Sequence, residues 1–276
     1  MAMLILIRGG GDLASGVALR LYRAGLWVLI TELPEPLAVR RGVSFAQAIF
    51  QKQTVVEGVT GRRVDDLSQA LLAINRGEIP VLVDPQARSL LEFRSAFPHQ
   101  EPIVLVDGRM IKRPPELSMQ AATLVIGLGP GFVAGENCHA VVETLRGHNL
   151  GRVIWHGEAE GDTGIPDRVS DSGMDRVLRA PVDGVLQAHV DIGDHLEAGQ
   201  LVAEVEGELV KAPFRGVLRG LLYPGLRVQR GMKIGDVDPR DDPRYCMLVS
   251  DKSLAIGGGV MEAILSRAEL RPYLWD

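Results

Sequence analysis

The first residues that could carry chemistry are three consecutive glycines, Gly9–Gly11, which follow the apolar run Leu4–Ile7. Glycine lacks the Cβ atom that would keep a phosphate or a pterin edge away from the backbone. A helix is predicted from about Asp12, because apolar residues then recur at helical spacing, and Gly25 is predicted to end it. The free N–H groups at the start of this helix favour a bound anion.

Glu32 ends the next apolar run, where an acidic side chain can accept hydrogen bonds from ribose hydroxyls. Two alternatives stay open at this loop. The Asp12 carboxylate would repel a diphosphate and could instead cap the helix, or the glycines could only let a helix pack on a strand. The positions predicted to bind a ligand here are Gly9, Gly10, Gly11, Asp12, Leu13, Ala14, Ser15 and Gly16, together with Glu32.

Two further glycine-rich stretches are predicted to form the facing wall of one cleft at the carboxyl edge of a sheet. One contributes Gly127, Gly129 and Gly131, after a predicted strand over 123–126. The other contributes Gly257, Gly258 and Gly259, which are predicted to open the last helix. Turn geometry without a ligand is the alternative for both stretches.

Cys138 and His139 lie near the start of a helix predicted over 139–146. His139 is the best candidate for a polar side-chain contact to the ligand. A helix start lowers a thiol pKa, so Cys138 could be reactive, but a small buried residue is the favoured interpretation. Met247–Val249 is predicted to be a strand.

Composition excludes several classes of function. The 276 residues carry a net charge of −5 and no long basic cluster, so nucleic acid is not an expected partner. No apolar run is long enough for a membrane span, and no signal peptide is recognised. The two cysteines lack metal-ligand spacing, and no metal site or known catalytic motif is found. A cytoplasmic location is therefore expected.

Alternating strand and helix patterns predict an α/β fold with a Rossmann-like parallel sheet, into which an all-β domain is inserted. A Rossmann-like nucleotide- or cofactor-binding domain is expected at 1–120, a second α/β part at 121–176 plus 239–276, and the β domain at 177–238. An internal repeat defines the β domain. Ala180–Val205 (the first copy) aligns without a gap on Ala212–Val237 (the second copy), with eight of 26 positions identical at an offset of 32.

The glycine spacing of the repeat resembles the biotinyl/lipoyl carrier family, which has a barrel-sandwich fold. In that family a lysine on the hairpin between the halves carries the cofactor. Here the hairpin is Glu206-Gly207-Glu208, and the nearby Lys211 aligns with Arg179 instead. No covalent biotin or lipoate is therefore expected, and a docking or oligomerisation module is the favoured interpretation.

The motifs GGGDLASG, IVLVDGRM, IGLGPGF, DTGIP, RAPVDGV and SDKSLAIGGGVMEAIL together resemble the YqeB-type proteins of the selenium-dependent molybdenum hydroxylase system. These are similar to the XdhC/CoxI accessory proteins. The resemblance implies a role in maturation, in which the chain binds molybdopterin cofactor or a nucleotide and has a molybdenum hydroxylase as its protein partner.

Two other functions stay open. GGGDLASG and VLVDGRM are loosely similar to precorrin-2 dehydrogenase, which would imply an NAD(P)-dependent oxidoreductase. A non-catalytic protein that docks a partner through its β domain is the other alternative. The identity of the ligand, the presence of turnover and the formation of a homo-oligomer are left open by the sequence.

Overall fold

The computed structural model describes residues 3–97, 102–111, 113–161 and 176–274, so the DTGIP motif lies outside the described residues. Contacts divide the chain into two compact units, each assembled from separate stretches of sequence. The first unit comprises Met1–Pro36, Phe45–Gly164 and Val249–Asp276, and the second comprises Leu37–Ser44 and Ile165–Leu248.

The helices of the described chain are α1 (Asp12–Arg23), α2 (Ala48–Gln51), α3 (Leu67–Asn75), α4 (Ser89–Ala96), α5 (Arg244–Met247) and α6 (Asp251–Ser266), of which α5 belongs to the second unit. The strands of the first unit are β1 (Leu4–Arg8), β2 (Trp27–Glu32), β3 (Gln53–Val56), β4 (Val59–Val64), β5 (Ile79–Val83), β6 (Ile103–Asp107), β7 (Leu124–Leu128), β8 (Val133–Ala134), β9 (Ala140–Val142), β10 (Val153–Ile154) and β11 (Gly157–Glu158).

Nine of these strands form sheet 1, in the order β10-β9-β7-β6-β1-β2-β5-β4-β3. Its neighbouring strands are parallel except at the two edges, where β3 and β10 pair antiparallel. The large, mostly parallel sheet confirms the predicted α/β class. Strands β7, β9 and β10, from the predicted second α/β part, lie in the same sheet as β1, β2 and β6, whereas the prediction assigned them to separate domains.

The opening β1–α1–β2 segment is confirmed. Strand β1 is buried along its whole length, as a continuous apolar run in a covered parallel sheet should be. Helix α1 follows Gly11, and the chain leaves it through Gly25, whose φ of 85° is easily adopted only by glycine.

Three predicted elements are wrong. Residues 139–146 do not form a helix, because Ala140–Val142 instead pairs with β7 as strand β9. Gly257–Gly259 do not open the last helix, because α6 begins at Asp251, where the Ser250 side chain accepts a hydrogen bond from Ser253 N–H. Residues 247–249 do not form a strand, since α5 ends at Met247.

The second unit contains β12 (Val177–Arg179), β13 (Gly184–Ala188), β14 (His195–Leu196), β15 (Leu201–Val205), β16 (Glu208–Lys211), β17 (Gly216–Leu221), β18 (Arg227–Val228) and β19 (Lys233–Asp238). They form two antiparallel sheets, sheet 2 in the order β12-β19-β17-β14 and sheet 3 in the order β16-β15-β13-β18. Each strand of sheet 2 corresponds to a strand of sheet 3 at the repeat offset of 32 residues, and the corresponding strands occur in the same order in the two sheets. The repeat read from the sequence is therefore also a repeat of strand pairing.

Candidate functional site

The loop Gly9–Gly11 lies at the carboxyl end of β1, in the centre of sheet 1. Gly9 has a φ of 89° and donates its N–H to Thr31 O at 2.7 Å. Gly10 O accepts hydrogen bonds from Ala46 N–H and from the Ser15 hydroxyl, both at 2.9 Å. The loop is therefore fixed by bonds to the surrounding backbone.

Only part of the predicted binding segment is accessible. Gly9, Gly10 and 14–16 are buried, whereas Gly11 and 12–13 are half-buried. Gly11 is the N-cap of α1, has no side-chain cap, and has open space where a Cβ would lie. The accessible part of this loop is thus the start of α1 at Gly11.

The Glu32 carboxylate holds the loop in place. Its two oxygens accept the N–H groups of Gly10 at 2.6 Å and of Leu33 at 2.7 Å. Burial raises the pKa of Glu32, against the lowering effect of these two hydrogen bonds and of Arg109. Glu32 lies where the sequence placed it, but its described contacts are to backbone.

A cluster of charged side chains that was not predicted from the sequence lies beside the same loop. Arg8 is buried at the end of β1 and donates to Asp107, at the end of β6, and to Glu116. Arg109 donates to both oxygens of Asp107, at 2.9 and 2.7 Å, and to Glu116 at 2.7 Å. A Cβ on Gly9 would lie 3.3 Å from Arg109, so the cluster adjoins the glycine loop. The signal that could have revealed it is a charged residue directly after each of two apolar runs.

Asp12, another predicted ligand residue, faces α6. Its carboxylate accepts a hydrogen bond from the Ser253 hydroxyl at 3.0 Å. This contact places a negative charge at the start of α1, which is favourable for the helix dipole and competes with an external anion.

The second glycine stretch lies at the same edge of the sheet, although its glycines serve different purposes. Gly127 is a strand residue whose missing side chain makes room for the buried ring of Phe132. Gly129 and Gly131 have φ values of 71° and 102°, and they turn the chain beside Thr144 and Arg113. The protein's own Phe132 thus occupies the space next to Gly127.

The third stretch lies inside α6, where two of its glycines allow close packing. A Cβ on Gly257 would lie 3.1 Å from Gly16 O of α1, and one on Gly259 would collide with Gly151 O. On the α1 side, a Cβ on Gly16 would lie 2.5 Å from the Cβ of Ser253. Gly257 and Gly259 therefore contact protein backbone and do not form a wall opposite the first loop.

His139 and Cys138 precede β9, at the amino end of that strand. His139 Nδ1 accepts the N–H of Val125 at 3.0 Å, and burial lowers the pKa of this imidazole. Cys138 is fully buried, and burial raises the pKa of its thiol to about 11. The thiol is therefore protonated at neutral pH, in agreement with the favoured interpretation as a small buried residue.

A cavity of about 290 Å³ occurs elsewhere in the first unit and includes no predicted ligand residue. The buried carboxylate of Glu143 forms part of its wall and accepts three backbone N–H groups, from Thr144, Leu145 and Glu160. The other lining residues are Asn149, Arg152, Val153, Ile154, Glu158 and Glu160.

Within the described residues, no group of three or more His, Cys, Asp or Glu side chains is arranged to hold a metal ion. No described helix combines the length and the apolar character that crossing a membrane requires.

The chain was compared with known families and structures. No family model matches it. Solved structures with similarity include an aspartoacylase family protein from Mesorhizobium loti, at 11% identity, 86% coverage of this chain, 84% of the other and a TM-score of 0.25. A succinylglutamate desuccinylase from Silicibacter has 14% identity, 85% and 84% coverage and a TM-score of 0.25. Scores this low support no conclusion about fold or function.

One curated relative is the uncharacterized protein YqeB of Escherichia coli strain K12. It is 45% identical over 262 residues, which are 95% of this chain and 47% of the relative. The chain thus spans about half the length of that protein. The similarity supports the prediction of a YqeB-type protein over the matched half.

Proposed function

We propose that this chain is an accessory protein for the maturation of selenium-dependent molybdenum hydroxylases, and that it binds molybdenum cofactor or a nucleotide at the Gly9–Gly11 loop. The observation that carries the binding proposal is the accessible start of α1 at Gly11, with no side-chain cap, at the carboxyl end of the central strand β1. The link to molybdenum hydroxylases, which act as the protein partner in this proposal, rests on the sequence motifs that resemble the YqeB-type proteins of that system.

The residues of the loop have different roles in the proposed binding. Gly11 and the first turn of α1 present N–H groups to the phosphate-bearing end of the ligand. Glu32 keeps the loop in shape through Gly10 and Leu33. A carboxylate oxygen can accept more than one hydrogen bond, so Glu32 can also meet a ribose hydroxyl while it holds the loop.

Binding is tested by calorimetry of the purified chain with molybdopterin cofactor, NAD and NADP. The variant Gly11→Leu blocks the approach to the start of α1 without a clash, because the space beyond Gly11 is open. We expect it to weaken binding about tenfold or more, the loss of about 1.4 kcal/mol, with an unchanged melting temperature. Gly258→Leu, at the glycine of α6 that also has open space, is the matched control. Absence of saturable binding to all three ligands would refute the proposal.

The position of Glu32 favours a second candidate function, an NAD(P)-dependent oxidoreductase. The carboxylate ends β2 beside the glycine loop, where a ribose would lie. In this case Glu32→Gln should weaken NAD binding by about 1–3 kcal/mol, the cost of an unsatisfied buried partner. Retention of NAD through purification, and a change in nicotinamide absorbance on addition of substrate, would favour this function over the first.

We also propose that sheets 2 and 3 form a biotinyl/lipoyl-like barrel-sandwich module that docks the partner enzyme. The matched strand orders of the two sheets support this fold. Leu209 on β16 is 52% exposed and offers an apolar contact. Leu209→Asp should reduce capture of a molybdenum hydroxylase in a pull-down assay. Leu72→Asp, at a residue of the first unit that is 56% exposed, should not.

A further inference from the structure

The charged cluster beside the glycine loop contains two kinds of carboxylate. Asp107 is nearly fully buried and pairs with both Arg8 and Arg109. Glu116 pairs with the same two arginines, but its side chain is 53% exposed. Both guanidinium groups are shielded from solvent, with 3% and 18% of their side-chain surface exposed. The exposed carboxylate of Glu116 is thus the outer partner of a sheltered pair of arginines.

An outer partner of this kind can be replaced. The Glu116 carboxylate is accessible from solvent while both arginines are shielded, so an external anion of higher charge can compete with it for their hydrogen bonds. The hydrogen bonds from Arg109 lower the pKa of Glu116 to about 2, and the carboxylate is therefore ionised at neutral pH. An incoming anion would have to displace a full negative charge from the arginines.

The cluster also has an unused donor. Arg8 Nε is buried and has no hydrogen-bond partner among the described residues. Buried polar atoms are normally satisfied, so this N–H is a donor that a phosphate oxygen could use. Arg8 directly precedes Gly9, and Arg109 lies against Gly9. The arginine pair and the start of α1 therefore border the same loop.

We propose that Arg8 and Arg109 bind a phosphate group of the ligand, and that Glu116 occupies this position until the ligand displaces it. The inference rests on the proposed function and specifies its ligand class: an anion with at least two negative charges, of the size of a diphosphate. Guanidinium groups suit this role because they donate paired hydrogen bonds to phosphate oxygens. Arg8 and Arg109 act as specificity residues for phosphate, and Glu116 as a competitor.

The test is calorimetry of the full chain with inorganic pyrophosphate. Succinate, a dicarboxylate whose charge does not exceed that of pyrophosphate, is the comparison ligand without phosphate. Glu116→Gln removes the competing charge and should tighten pyrophosphate binding about fivefold or more. Glu92→Gln is the matched control, because it removes one exposed negative charge of the first unit outside the cluster. It should leave the affinity within about twofold. Adding Arg109→Gln to Glu116→Gln should abolish the gain, and thermal melts verify that each variant is folded.

The outcomes separate this inference from the proposed function. Unchanged or weaker pyrophosphate binding by a folded Glu116→Gln variant overturns the inference, even if molybdopterin cofactor or NAD binds and Gly11→Leu abolishes that binding. Tighter binding of pyrophosphate, with no binding of cofactor or dinucleotide, supports the phosphate site and refutes the proposed function. An equal gain for succinate overturns the assignment to phosphate. If Glu116→Gln fails to fold, Glu116→Asp replaces it, because its shorter side chain withdraws the charge from Arg109.

Discussion

Sheets 2 and 3 have the same strand order and differ in the charges on equivalent strands. Asp236 and Asp238 of β19 are almost completely buried in sheet 2, where they pair with Arg219. At the repeat offset, the equivalent residues are Glu204 on β15 and Glu206 directly after it, and both retain contact with solvent. The position of Arg219 is taken in sheet 3 by Gln187, which is exposed.

The difference follows from what covers each sheet. In sheet 2, Val39 lies against Gly220, Arg41 donates to Leu221 O at 2.6 Å, and the thiol of Cys246 donates to Leu218 O. The position of Gly220 is held by Ala188 in sheet 3, and a Cβ at Gly220 would lie 2.8 Å from Val39 O. The comparison teaches that glycines and apolar residues set the shared strand path, whereas the covering segment determines which charges are buried.

The sharpest test of this comparison is to remove equivalent carboxylates. Asp236→Ala removes a buried carboxylate that pairs with both Arg176 and Arg219. We expect a loss of about 3–5 kcal/mol in the free energy of unfolding, as for other broken buried pairs. Glu204→Ala removes only the partner of His189, an exposed pair, and should cost about 0.5 kcal/mol or less. Chemical denaturation followed by circular dichroism measures both, and equal losses would contradict the comparison.

A smaller effect is expected from equivalent glycines. A Cβ on Gly216 would collide with the backbone oxygen of Asp238, which cannot move without disturbing β19. Gly216→Ala should therefore destabilise the protein by about 1–3 kcal/mol. A Cβ on Gly184 would collide with the side chain of Glu206, which can rotate into solvent. Gly184→Ala should cost less than about 1 kcal/mol, and the reverse ranking in thermal melts would show that the sheets do not differ in this way.

The smallest expected effect is on the stability of the protein at acidic pH. Burial raises the pKa of Asp238, but the hydrogen bonds from Arg240 and the nearby Arg219 outweigh it, and the net pKa is lowered. A carboxyl group with a lowered pKa in the folded state stabilises the protein fully above its unfolded pKa, about 4, and the contribution is lost as the pH falls through the folded pKa. Melting temperature should thus decline below about pH 4. Asp238→Asn should flatten this decline, and an unchanged slope would contradict the prediction.

The sequence predicted the elements in which local pattern and tertiary environment agree. The β1–α1–β2 segment combines a continuous apolar run, a glycine turn and helical periodicity, and all three favour the observed structure. The helix predicted over 139–146 is not observed. The apolar run Ala140–Val142 is too short to distinguish a strand from a helix, and its pairing with β7 makes it a strand. The local sequence pattern carries no information about the pairing of β9 with β7.

The glycines of α6 show a second limit. Glycine disfavours a helix interior, so Gly257–Gly259 suggested a helix start. The helix tolerates them because close contact with α1 at Gly16 needs small residues. The candidate site was only partly predictable, because some of its contacts join residues far apart in the sequence. The glycine loop and Glu32 have local signals, whereas the contact of Arg8 with Glu116 joins residues 108 positions apart.

Helix α6 packs on α1 and on strands β7, β9 and β10, although the sequence of the second unit separates it from all of them. During translation, α1 leaves the ribosome long before α6 is made. The apolar side of α1 that α6 will cover stays open through the synthesis of residues 165–248. The nascent chain must therefore pass through an interval in which this surface can attract chaperones or other nascent chains, and this interval ends only when α6 is made and packs on α1.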